Sequence, residues 1–67
     1  MITITVNGTT TEVDHSMSIS ELIEQVDVPK NYLAVEINEE VVPREQHGEY
    51  MVAEGDRVEV VTLVGGG

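Results

Sequence analysis

The polar and apolar positions of this chain change period several times, and each change marks an element. Ile2, Ile4 and Val6 alternate with Thr3 and Thr5. A period of two with β-branched residues predicts a half-buried strand over residues 2–6. Asn7-Gly8 follows. That dipeptide suits a type I′ hairpin turn, which needs positive φ at both central positions. Residues 9–13 then return as a polar, threonine-rich edge strand with Val13 facing inward. After a link over residues 14–17, Ser18-Ile19-Ser20-Glu21 fits a capping box, with Met17 and Leu22 placed for a hydrophobic staple. Ile19, Leu22, Ile23 and Val26 fall at i, i+3, i+4 and i+7, the stripe of an amphipathic helix that Pro29 is expected to end.

The second half returns to strand periods. Leu33, Val35 and Ile37 predict a strand with all three on one face. Asn38-Glu39-Glu40 reads as a turn, and Val41-Val42 as a short edge strand stopped by Pro43, which has no ladder donor. Residues 44–48 are polar, with room for one 3₁₀ turn; residues 49–52 read ambiguously, in a pattern that allows Tyr50 and Val52 to face inward. Ala53-Glu54-Gly55-Asp56 is a turn, with Gly55 at an unusual φ. The last strand spans residues 57–64, and apolar residues on both of its faces near the end predict a central place in the sheet. One amphipathic helix covers one face of one sheet, which gives a two-layer α+β domain over residues 1–64. Residues 65–67 are left as a flexible glycine tail.

At 67 residues the chain supports one small core. It has no cysteine, hence neither a disulfide nor a thiolate metal site, as suits a reducing cytosol. Met1-Ile2-Thr3 reads as a start without a secretory signal. No apolar run approaches a membrane span. Thirteen acids against three bases give a formal charge of −10. That balance argues against nucleic acid and anionic lipid, and favours encounter with a basic protein surface. No catalytic constellation is evident. Ser16, Ser18 and Ser20 lie near a helix start without a nucleophile elbow. His15 and His47 are expected at the surface, and Glu39-Glu40 at a solvated turn without a calcium-loop spacing, so no metal is expected. Three final glycines have no following helix to make a phosphate loop.

Several stretches together carry a resemblance: Asn7-Gly8; Val35-Glu36-Ile37-Asn38 with Val41-Val42-Pro43-Arg44-Glu45; Glu54-Gly55-Asp56-Arg57-Val58-Glu59-Val60; and the end, Val60-Val61-Thr62-Leu63-Val64-Gly65-Gly66-Gly67. In this order and at this length the whole chain resembles the ubiquitin-like β-grasp sulfur carriers, and within them the thiamine-pathway (ThiS) branch. One departure stands at the second hairpin, where Asn38-Glu39 occupies a place often held by Asn-Gly.

The resemblance implies a mixed sheet of four to five strands packed on one main helix. It implies a cytoplasmic carrier, not an enzyme, whose Gly67 carboxylate is adenylated and then converted to a thiocarboxylate. Gly65 and Gly66 would thread into a partner's active site. Leu63 and Val64 would dock against that partner, and Val61 would chiefly complete the core. The implied partners are an E1-like (ThiF-like) adenylating enzyme, a persulfide sulfur donor and a ThiG-like thiazole synthase. ATP and Mg would belong to the adenylating enzyme, with no cofactor bound by this chain. Three alternatives stay open: the carrier subunit of molybdopterin synthase, a ubiquitin-like modifier conjugated through Gly67, and a β-grasp binding module with an incidental glycine end.

Overall fold

A computed structural model describes residues 1–62. Strand β1 (Ile2–Val6) pairs antiparallel with β2 (Thr9–Val13), in a register running from Ile2 opposite Val13 to Val6 opposite Thr9. Between them Asn7 and Gly8 have φ of 49° and 83°, the two positive values a type I′ turn requires. Ser18 caps helix α1 (Ile19–Gln25), and its side chain accepts from the Glu21 N–H while the Glu21 carboxylate reaches back to the Ser18 N–H. Both halves of the capping box are therefore made. Met17 and Leu22 are both buried in the core beneath.

The helix stops sooner than Pro29 requires. Val26 already turns into extended backbone (ψ 161°), comfortable for a β-branched residue. Its N–H still bonds the Leu22 carbonyl, and the Lys30 ammonium donates to the Ile23 carbonyl. A cation at the last exposed carbonyls stabilises a helix end. The restriction imposed by proline acts on Val28 alone, so it marks a limit beyond which the helix cannot run.

The remaining strands are β4 (Ala34–Ile37), β5 (Glu40–Val42) and β7 (Arg57–Val61), with one 3₁₀ turn at Arg44–Gln46. The five-stranded sheet has the order β2-β1-β7-β4-β5. β7 lies at its centre, parallel to β1 and antiparallel to β4, as apolar residues on both faces required. β2 and the Pro43-terminated β5 are its edges. Two short strands form a separate ladder that periodicity did not reveal: β3 (Met17–Ser18) pairs antiparallel with β6 (Met51–Val52). Two-residue strands are too short to show a period. Their ladder sets Met17 opposite Val52, both buried, and Ser18 opposite Met51.

Asparagines at the two hairpins clasp β7 from both sides. The Asn7 side chain accepts from the Val60 N–H at 2.8 Å, and its own N–H donates to the Val58 carbonyl. The Asn38 side chain accepts from the Arg57 N–H and donates to Asp56. Gly55, at φ 84°, turns the chain into β7 and donates its N–H to the Thr3 carbonyl. Apolar side chains from α1 and the inner sheet face make one continuous core, Leu22, Val35 and Val58 among its most buried members.

Two inward assignments are overturned. Leu33 is 52% exposed, because it precedes β4 and escapes the alternation that buries Val35 and Ile37. Tyr50 is exposed and Val52 alone is buried, since β6 alternates only over Met51 and Val52. Among the described residues no helix is long and apolar enough to cross a membrane.

The second hairpin keeps the type I′ shape without its glycine: Asn38 and Glu39 have φ of 52° and 74°. A side chain in left-handed backbone costs roughly 1–2 kcal/mol. Glu39→Gly is therefore expected to stabilise the domain by about 0.5–1 kcal/mol, after the greater freedom of glycine in the unfolded chain is subtracted. Urea unfolding measures it, and a lower midpoint for the variant would contradict the turn geometry.

Candidate functional site

The described part of the chain ends just past its central strand, β7. Val60 points into the core, so Val61 falls on the opposite, uncovered face, half-buried beside Ala34, its register partner. The Val61 carbonyl accepts from the Leu33 N–H at 2.7 Å. Thr62, also half-buried, follows as the last described residue. Leu63, Val64, Gly65, Gly66 and Gly67 lie outside the described residues. The strand expected to reach residue 64 is described as far as Val61.

Around that end the open face is acidic with apolar flanks. Glu36 stands directly opposite Glu59 across β4 and β7, and Val41, 61% exposed, opposes Glu36 from β5. A shallow concavity here is lined by Glu36, Glu39, Arg57, Glu59 and Val61. Like charges directly opposite one another on a sheet face cost some stability. These carboxylates, with exposed Val41 and half-buried Val61 beside them, suit a partner surface that is basic and partly apolar.

The histidines differ from expectation. His15 is exposed, but His47 is only 4% exposed. Its Nε2–H donates to the Val42 carbonyl at 2.9 Å, and its Nδ1 lies 3.1 Å from the Tyr32 hydroxyl. With both ring nitrogens engaged, the imidazole is a structural pin and not a poised base. Arg44, at the start of the 3₁₀ turn, sets its guanidinium carbon 4.3 Å from the centre of the Tyr32 ring. One Tyr, one Arg and one His, scattered through polar stretches, carry no periodic signal that would have joined them.

The serines are structural as well. Ser16 donates to the Val52 carbonyl at 2.6 Å, Ser18 caps α1, and Ser20 is exposed. Among the described residues no group of three or more His, Cys, Asp or Glu side chains is arranged to hold a metal ion.

Known proteins bear on this geometry. The profile of the ThiS family matches residues 4–67. The sulfur carrier protein ThiS of Escherichia coli is 36% identical over 50 residues, 75% of this chain and 76% of that protein. A thiazole synthase of Paramagnetospirillum magneticum is 34% identical over 62 residues, which is 92% of this chain but only 19% of the synthase. The crystal structure of a thiamine biosynthesis protein (ThiS) from Geobacter metallireducens superposes with a TM-score of 0.83 at 38% identity, covering 98% of this chain and 100% of that one. With a helix on one face of a five-stranded mixed sheet, a family match over nearly its whole length and two ThiS relatives of similar size, this chain is a β-grasp protein that belongs to the ThiS family.

Proposed function

We propose that this chain carries sulfur into the thiazole ring of thiamine on its own C-terminal carboxylate, at Gly67. The observation that carries the reading is the reach of the family match through residue 67, so that it takes in the glycines together with the body. A domain whose buried polar side chains serve its own packing is consistent with a chain that is worked upon by others.

The chemistry follows from the weakness of a carboxylate as an electrophile. On an E1-like partner that holds ATP and Mg, a Gly67 oxygen attacks the α-phosphorus and pyrophosphate leaves. The acyl-adenylate then has a good leaving group. The terminal sulfur of a donor persulfide attacks the acyl carbon and AMP departs. Cleavage of the S–S bond by a thiol leaves a thiocarboxylate on Gly67. Glycines at 65 and 66 make the approach narrow, since neither carries a Cβ. The thiocarboxylate is a soft nucleophile suited to delivering its sulfur to a thiazole synthase. Likeness of this chain to a stretch of a much longer thiazole synthase supports that partnership. The acidic open face, within a chain of charge −10, would speed encounter with basic partner surfaces in the cytoplasm.

Intact-mass measurement on protein from its native host tests the proposal. A species with one oxygen replaced by sulfur at the C-terminus is expected, and it should revert to carboxylate on incubation with thiazole synthase and its substrates. Isopeptide conjugates through Gly67 would instead mark a protein modifier. Sulfur that passes only to a molybdopterin precursor would overturn the thiamine assignment.

A further inference from the structure

Residues 26–33 join α1 to β4 without regular structure, yet the Tyr32–Leu33 peptide is held firmly. Arg44 donates to the Tyr32 carbonyl and lays its guanidinium over the Tyr32 ring. The Tyr32 hydroxyl meets Nδ1 of buried His47, whose other nitrogen is tied to Val42. The two rings stack with centroids 6.0 Å apart. Tyr32 is thus fixed at its face, its carbonyl and its hydroxyl. Leu33, the next residue, has an exposed side chain with little packing of its own, but its N–H donates to the Val61 carbonyl.

We infer that Tyr32, Arg44 and His47 form a positioning clamp which, by holding Leu33 against Val61, sets the point where the chain departs the sheet and hence the reach of its terminal carboxylate. The inference rests on the reading of Gly67 as the group that partners work on. Ala34 and Val61 are the last pair of the β4–β7 ladder. Bonded pairs alternate along an antiparallel ladder, and the Asn38 N–H bonds the Arg57 carbonyl. That places Glu36–Glu59 as the next bonded pair inward from Ala34–Val61. When the end pair frays, the last tied residue retreats from Val61 to Val60, whose N–H the Asn7 side chain still holds, and about 3.5 Å of loose chain is added. A longer, looser arm spends less of its time in reactive alignment. The open sheet face is unchanged, so docking of the body is preserved.

Arg44→Gln removes the guanidinium over the Tyr32 ring and its hydrogen bond to the Tyr32 carbonyl. Tyr32→Phe removes only the bond to His47. Arg44→Lys keeps the charge without the fork geometry. Glu45→Gln, exposed on the same turn, is the control. Two measurements are made: hydrogen exchange at the Leu33 amide, and the kinetics of ATP-dependent activation by the adenylating partner over a range of carrier concentrations.

The clamp predicts exchange at Leu33 faster by about tenfold in Arg44→Gln, and a kcat lower by about three- to tenfold with KM within about twofold of wild type. Tyr32→Phe should follow in the same direction, Arg44→Lys should resemble Arg44→Gln, and Glu45→Gln should match wild type. A residue that served stability alone would lower the unfolding midpoint and leave kcat unchanged at temperatures where the carrier is folded. Unchanged Leu33 exchange, an effect confined to KM, or full rescue by lysine would each overturn the clamp. If the partner does not activate even the wild-type chain, the functional reading falls, and Leu33 exchange still decides whether the three side chains tie down Val61.

Discussion

Removal of Gly66 and Gly67 is expected to abolish activation by the adenylating partner, to background, while the unfolding midpoint stays where it is. The body owes its stability to side chains between Ile4 and Val60, all outside the deleted segment. The shortened chain still ends in a carboxylate, on Gly65, but about 7 Å back from its former place. Misplacement of a reacting group by as little as about 1 Å can cost a hundredfold in rate. ATP–pyrophosphate exchange with the partner reads the first quantity and thermal unfolding the second. Gly66→Val separates reach from width, because it keeps the length and adds a branched side chain; it too should lose activation. A truncated chain that is still adenylated, or one that no longer folds, would contradict the carrier mechanism.

Replacing Leu22 with alanine is expected to bring the domain close to unfolding. Leu22 lies on the one helix of the described residues, at 0% exposure, where helix and sheet meet. Such truncations cost about 2–5 kcal/mol. A domain of this size has a total stability of about 3–10 kcal/mol, at roughly 0.05–0.15 kcal/mol per residue. A substantial unfolded fraction at 25 °C is the expected result, followed by urea titration or far-UV circular dichroism. Glu24→Ala, on the exposed side of the same helix, should stay within about 0.5 kcal/mol of wild type. A mild effect at Leu22 would mean that the core closes over the gap, against its tight packing.

Local rules made much of this fold legible. Alternation at Ile2, Ile4 and Val6, the Asn7-Gly8 turn and the reciprocal cap of Ser18 and Glu21 depend on neighbours a few residues away, and each is found as expected. Resemblance to the β-grasp carriers supplied the topology that these pieces alone left open. What escaped depends on residues distant in sequence. His47 is buried because Val42 and Tyr32 supply its bonds, and neither is visible from the polar stretch around it. Leu33 carries the right residue type and spacing for the inner face, yet β4 begins one residue later. At the candidate site the glycine end was plain as a pattern. The opposition of Glu36 and Glu59 needed the register of β4 against β7, which no single strand contains.

Among the described strands, the central one is also the last to be made. Until Arg57–Val61 has been synthesised, β1 and β4 have nothing to join them, since each pairs with β7 and not with the other. A chain cut short by premature termination would expose two bare strand edges, the kind of surface that invites aggregation and disposal.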